Sequence, residues 1–522
     1  MDRTVPGFEI HRNTILRILR WNGSPVTAIA VSGAGVFGLL VARLPLLDAT
    51  MLVVLAIGGV ATLVEPLAGL SIGLFLGLFR AYLQTEVPQV PSQIGQVFVA
   101  LTLVSWLVRG LAQRSIRIHT LPILFALLLF VGSALLSLWN AVDAQNFGLM
   151  ELVKWGQIVA VFLLVRDRAN PCRRTWLLAI LLVTGMFQAG VGIYEFGIRG
   201  DGPDHFAILG GDFYRAYGTF EQPNPFGGYI SMTACLAVGV VLTLAPPYLT
   251  QLIGRPQDGR PTGGPRRIAG LAVWGLIGVM LASLTMIAAL GMSWSRGAWL
   301  GFGAAVIVMA IALPRQARLG VLLAVCLIVV SLGLYTTGLM PTSIDARLTS
   351  FIDDIRLDDV RGVGINDTNY AVIERLAHWQ AALEMWRYNF WTGVGIGCYE
   401  PAYPNYALIN WPFALGHAHN TYLTIAAETG TVGLFAYLIL WATIFWKTWQ
   451  ATRFTHGLNR GIAIGLLGAW THLSVHHLLD NLFVNNMHIQ IGIMLGLLAA
   501  INHSSRQPRD GAAISKRLVF FQ

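Results

Sequence analysis

Apolar runs long enough to cross a bilayer recur along nearly the whole of this 522-residue chain. A membrane span needs roughly 17–25 predominantly apolar residues. Such runs lie at 24–43, 49–64, 66–84, 94–110, 119–139, 147–165, 174–196, 225–247, 268–291, 296–313, 317–338, 419–446, 459–479 and 484–501. Only Glu65 and Pro66 divide the pair at 49–84, which can equally be one broken helix. Backbone surrounded by hydrocarbon must satisfy its own hydrogen bonds, so segments of this kind fold as helices. The expectation is an all-α fold: a polytopic transmembrane helical bundle of about 12–14 spans with a mostly helical loop domain outside the membrane. Only 12% of residues are charged, against about a quarter in soluble domains.

Charge then orients the bundle. If the N-terminus is cytoplasmic, most of the 35 Lys and Arg residues fall on one face: the first 20 residues, the loops around 109–117, 166–174, 255–267, 315–318 and 447–460, and the C-terminal tail. A basic excess beside short loops marks the cytoplasmic side. The net charge of +9 is therefore a topology signal. No segment offers the basic stripe that nucleic-acid binding requires. The N-terminus lacks a cleavable signal pattern, and its basic stretch precedes a full-length span. Of the four cysteines only Cys398 is expected outside, so no disulfide is expected there. The chain divides into N-terminal transmembrane helices (1–196), transmembrane helices with arginine-bearing outer loops (197–338), a large outer loop region (339–418), C-terminal transmembrane helices (419–501) and a cytoplasmic tail (502–522).

The polar residues left over collect on the outer face. In the first long outer loop Arg215 precedes Pro223-Asn224-Pro225, and the two prolines hold Asn224 at a helix mouth. Free backbone N–H groups there attract anions, although Asn224 also suits a simple cap. Arg296, in Ser295-Arg296-Gly297-Ala298-Trp299, sits where one span ends outside and the next begins. It either snorkels to the interface or clamps an anion with its planar fork. The second outer loop carries Arg347, Arg361 and Arg387 among other basic residues, and a helical stretch beginning Glu374-Arg375. Thr392-Gly393-Val394-Gly395-Ile396-Gly397 follows, without the strand or the lysine that a nucleotide loop needs. Asp353, Asp354, Asp358 and Asp359 read as a solvated acidic loop.

Gly416-His417-Ala418-His419-Asn420-Thr421-Tyr422-Leu423 opens the next span. Histidine transfers protons readily near neutral pH, and a nearby arginine would favour its neutral, basic form. His419 is the preferred base over His417, because it adjoins Asn420 at the helix start. His472, His476, His477 and Asp480 end a later span; His472 and His476 share a helical face, a spacing open to a transition metal. Helix packing or a substrate cavity suits them better, since the other landmarks of a zinc site are missing.

Taken together, these residues resemble the bacterial O-antigen ligase/polymerase family of membrane glycosyltransferases. Arg215 before Gly218 and Pro223-Asn224 looks like that family's first arginine motif, Ser295 to Trp299 like its second, and His419-Asn420 followed by Gly430-Thr431-Val432-Gly433 like its histidine signature. Arg375 to Gly397 looks like its periplasmic segment, and the likeness covers roughly 200–480. The resemblance implies a bacterial inner-membrane enzyme with both termini cytoplasmic, a periplasmic loop domain and a periplasmic active site. The implied donor is a glycan on undecaprenyl pyrophosphate, and the implied acceptor a lipid A-core sugar or another glycan. His419, Arg296 and Arg215 become the catalytic candidates. Asn224, Arg375, His417, Asn420, Tyr422, His476 and Asp480 become substrate-binding candidates. No metal or cofactor is expected, and direct attack inverts the anomeric centre. A polymerase joining lipid-linked repeat units shares these motifs, and a lipid-linked sugar transporter remains a third reading. For the transporter the candidate intramembrane charges are Glu151 and Lys154, which lie one turn apart and suit an ion pair.

Overall fold

The computed structural model describes residues 32, 34–36, 38–39, 41–87, 90–116, 121–253, 266–349, 359–366 and 369–504. The expected span at 24–43 therefore falls mostly outside the described residues. So do Arg3, Arg12, Arg17, Arg20, Arg117, Arg255, Arg260, Arg506, Arg509, Lys516 and Arg517 of the orienting charge, and Asp353, Asp354 and Asp358 of the acidic loop.

The fold is all-α. The expected pair at 49–84 is two helices, α1 (Leu46–Val64) and α2 (Pro66–Gly77). Glu65 between them is extended, and its carboxylate accepts from Leu67 N at 3.4 Å while Pro66 takes the first turn. Proline fits there because that N–H has no helical partner. Arg173 pairs with the same carboxylate. After α3 (Arg80–Thr85) come α4 (Ile94–Ala112), α5 (Pro122–Ser137), α6 (Leu149–Arg168) and α7 (Pro171–Gly197). Next are α8 (Pro223–Ile253), α9 (Arg266–Met292), α10 (Arg296–Ala312) and α11 (Ala317–Thr336). The large outer segment supplies α12 (Thr342–Thr349), α13 (Tyr370–Tyr388) and the single turn α14 (Tyr399–Ala402). The chain closes with α15 (Thr421–Phe454), α16 (Gly457–His476) and α17 (Met487–Ser504). Two-residue strands at Ala207–Ile208 and Phe213–Tyr214 pair antiparallel in the first outer loop.

Among the described residues, eight helices are long and apolar enough to cross a membrane, and four further apolar helices are shorter. This is a multi-pass membrane protein. Helix α16, expected as a span, carries Arg460, His472 and His476 and is buried within the bundle along most of its length. Its contact with α8 is backbone to backbone: a Cβ on Gly239 would lie 2.3 Å from Gly465 N. Small residues permit this approach, and in lipid such packing is a main source of helix association.

One long helix is broken. Gly430 in α15 has φ 63° and ψ −166°, a backbone essentially reserved for glycine. The break frees backbone groups, and the turn before α14 satisfies them: Thr431 N donates to Phe390 O at 2.8 Å, and Gly395 N donates to Glu428 O at 2.9 Å. Gly393 serves this docking, while Gly395 and Gly397 let the turn pack closely against Ala141 and Phe147. A Cβ on Gly393 would meet Glu428 C at 2.3 Å.

Candidate active site

Several separate stretches of chain build the site. Arg215 follows the small hairpin; its Nε donates to Ser293 O at 3.0 Å and one terminal nitrogen donates to Asn224 Oδ1 at 3.3 Å. Asn224 stands in the first turn of α8. Ser295, the N-cap of α10, donates to the same Asn224 oxygen at 2.8 Å and places Arg296 at the first helical position. The residue before Ser295, Trp294, has φ 51°, an uncommon backbone for a bulky side chain. Arg215, Asn224, Arg296, Arg375 and His476 line one cavity of about 410 Å³, together with Arg347 and Trp379. No carboxylate is among the described residues that line it.

Guanidiniums crowded into one cavity repel one another. Burial pushes Arg215 down to about 9, with Arg347, Arg375 and Arg296 adding to the effect. Burial likewise pushes Arg347 to about 10, helped by Arg296 and Arg375. Both remain cationic at neutral pH, so the cavity is a preformed positive field suited to an anion.

The histidines form a second cluster beside it. His419, with φ 51°, precedes α15, whose N-cap is Asn420. Asn420 Oδ1 accepts from Tyr422 N at 3.0 Å and Leu423 N at 3.1 Å. His419 Nδ1 lies 3.4 Å from Asp480 Oδ1, and His417 Nε2 lies 3.9 Å from the same oxygen. Asp480 Oδ2 accepts from Asn224 Nδ2 at 2.9 Å, which joins the histidines to the arginine cavity. Thr421 fastens the start of α15 to the end of α16 through His477 O and Asp480 O. Burial alone would raise the Asp480 carboxyl, but His419, His417 and His476 hold it well below its ordinary value. The charged group facing His419 is therefore a carboxylate, not the arginine expected from sequence.

Residues 281–438 match the family model described as O-antigen ligase. That segment belongs to the O-antigen ligase family. The chain thus carries a membrane domain of the ligase/polymerase type that works on lipid-linked glycans. No curated protein matches the chain. The O-antigen ligase segment contains Arg296, Arg347, Arg375, His417 and His419, while Arg215, Asn224, His476 and Asp480 reach the site from either side of it.

Two candidates, Asn420 and Tyr422, stand apart from both the arginine cavity and the His417, His419 and Asp480 cluster. Asn420 spends its side-chain oxygen capping α15. Tyr422 donates to Ser474 O at 3.0 Å and packs against Tyr437, tying α15 to α16. Two residues were not anticipated as site residues. Arg347 carries no motif, and only its place in the outer segment hinted at it. His378 has a ring centroid 5.8 Å from that of His419 and a nitrogen 3.0 Å from the Tyr399 hydroxyl. Burial, then the charge of His419, pushes His378 down to about 4, so it stands beside His419 as a neutral neighbour.

Among the described residues, the group whose donor atoms converge to within 4.8 Å is His417, His419 and Asp480, and not the His472, His476, His477 and Asp480 set weighed from sequence. Its chemistry suits a resident ion poorly. His417 Nδ1 accepts the His419 backbone N–H at 3.0 Å. In the neutral ring the proton therefore sits on Nε2, the atom that would have to bind the metal. Burial, reinforced by His419, pushes His417 down to about 4 and keeps it in that neutral form.

Proposed function

We propose that the chain transfers a glycan from undecaprenyl pyrophosphate to a sugar hydroxyl, as an O-antigen ligase whose acceptor is a lipid A-core sugar. The observation that carries this reading is the Asn224–Asp480 hydrogen bond, which sets a carboxylate-backed histidine beside a cavity of arginines. In this reading the pyrophosphate lies among Arg215, Arg296 and Arg375, and His476 borders it. His419 keeps its proton on Nδ1 towards Asp480 and presents the Nε2 lone pair to the acceptor. The acceptor hydroxyl proton passes to Nε2 as the acceptor oxygen bonds to the anomeric carbon. The anomeric C–O bond breaks on the opposite face, and its electron pair stays on the pyrophosphate oxygen. Direct displacement inverts the centre. Asp480 stabilises the imidazolium that forms, as an orienting carboxylate does in other acyl- and group-transfer sites. Each charge-assisted hydrogen bond to the leaving group is worth about 1.5–3 kcal/mol, so guanidiniums supply the stabilisation that a divalent ion gives elsewhere. The positive-inside pattern supports cytoplasmic termini and a site at the periplasmic face of the inner membrane.

The test is transfer by purified protein in detergent, with a polyprenyl-pyrophosphate oligosaccharide and either a lipid A-core acceptor or none. Conjugation to the core, lost in His419→Ala and Arg296→Ala, supports the ligase. Ladders of longer lipid-linked glycan without added acceptor make it a polymerase at the same site. No transfer in either case, with variants like wild type, turns the reading to transport.

A further inference from the structure

Arg347 reaches the cavity from α12, in the outer segment, and it is held there in an unusual way. Its Nε and one terminal nitrogen both donate to the carbonyl of Trp294, at 3.2 and 3.0 Å. Trp294 has the left-handed backbone (φ 51°) that directs the chain into Ser295 and Arg296. One edge of the guanidinium fork thus grips the turn that places Arg296. A guanidinium has five donors, and the carbonyl engages two of its N–H groups. No carboxylate pairs with Arg347 among the described residues, and it lines the same cavity as Arg215, Arg296 and Arg375. A side chain that served only to tie a loop down would not need a half-buried charge with no carboxylate partner among the described residues, because a neutral donor makes the same bond to a carbonyl. The charge has a use only when an anion enters, and a planar fork with a free edge is matched to phosphate oxygens.

We propose that Arg347 is a further anion-binding residue of this site, contacting a diphosphate directly while its other edge holds the Trp294-Ser295-Arg296 turn in register. The outer segment and the membrane helices then each contribute guanidiniums to one diphosphate, and the anion ties the two together. The identity of the anion as a diphosphate rests on the functional reading above; the anion site itself rests on the cavity.

Binding of inorganic pyrophosphate to the full chain in detergent tests this without any glycan chemistry. Affinity is measured by titration at fixed ionic strength for wild type, Arg296→Ala, Arg347→Ala and Arg347→Lys, with Arg361→Ala as a control, since Arg361 pairs with Asp359 on the exposed surface. The expected result is a Kd at least about tenfold weaker in Arg347→Ala, from the charge-assisted bonds lost. An intermediate loss is expected in Arg347→Lys, which keeps the charge but not the fork, and no change in Arg361→Ala. The donor KM should rise in parallel with the pyrophosphate Kd. If Arg347→Ala does not fold, Arg347→Lys decides: an unchanged Kd overturns the proposal. Unchanged affinity in Arg347→Ala with a lowered melting temperature leaves Arg347 a loop tie and also overturns it. Loss in Arg296→Ala but not in either Arg347 variant refutes the proposal alone. No pyrophosphate binding by wild type refutes the functional reading as well.

Discussion

The amide of Asn224 donates to the carboxylate of Asp480 across 2.9 Å, although the two are 256 residues apart in the chain. The bond joins the first turn of α8 to the residues just after α16. It leaves the other Asp480 oxygen facing His419 at 3.4 Å. Two polar clusters that would otherwise be separate become one site through this contact.

Asp480→Asn keeps the shape and removes the charge. An amide in that place no longer enforces the His419 tautomer or stabilises its protonated form. Glycan transfer should fall about 10²–10⁴-fold in kcat, with the donor KM nearly unchanged. Steady-state kinetics decide it, and wild-type kcat in this variant would remove Asp480 from the mechanism.

Asn224→Ala removes the bridge itself. It strips one hydrogen bond each from the buried Asp480 carboxylate, from Arg215 and from Ser295. The expected cost is about 1–3 kcal/mol of stability, together with loss of transfer. Thermal unfolding in detergent checks the first part, and an unshifted melting temperature would mean that the bridge is dispensable to the fold.

Acid sensitivity follows from His417. Unfolded, its imidazole takes up a proton near 6.5, whereas in the folded protein burial holds it to about 4. Between those values the unfolded chain binds more protons, so stability rises with pH and is lost on acidification. His417→Gln should melt with a flatter pH dependence between 6.5 and 4 than wild type. Parallel curves would show that His417 is not the neutral, half-buried ring described above.

The break in α15 depends on Gly430. A Cβ there would lie 2.3 Å from Trp391 C, and the backbone has the φ and ψ of a glycine. Gly430→Ala should cost several kcal/mol through clash and strain. Yield of monodisperse protein is the readout, and wild-type yield and melting temperature would contradict the docking of the 390–397 turn.

Chelation should leave transfer intact, because the cavity presents guanidiniums and the His417 tautomer disfavours an ion. Activity lost in EDTA and restored by magnesium would sink the metal-independent reading.

Much of the candidate site is legible along the chain because each piece sits where an apolar run gives way to polar residues. Arg215, Asn224, Arg296 and His419 each stand at such a boundary, and local hydropathy is enough to find them. Arg347 stands in a loop without pattern, so nothing local marks it. Asn420 and Tyr422 are candidates through the resemblance at the His419-Asn420 signature. A helix start also needs a cap, and Asn420 serves that need, while Tyr422 projects towards α16. The glycines of 393–397 are only a weak phosphate signal; they let the turn pack closely, Gly393 on the break in α15 and Gly395 and Gly397 against Ala141 and Phe147.

By itself the sequence determined the helical class, the approximate positions of the spans and the residue types available for chemistry, because lipid makes hydropathy a local and nearly sufficient code for helices. The tertiary structure alone decided which polar groups meet. The Asn224–Asp480–His419 chain, the grip of Arg347 on Trp294 and the filling of the break at Gly430 depend on how α8, α10, α15 and α16 pack. Packing contacts join residues far apart in sequence, and no local period encodes them.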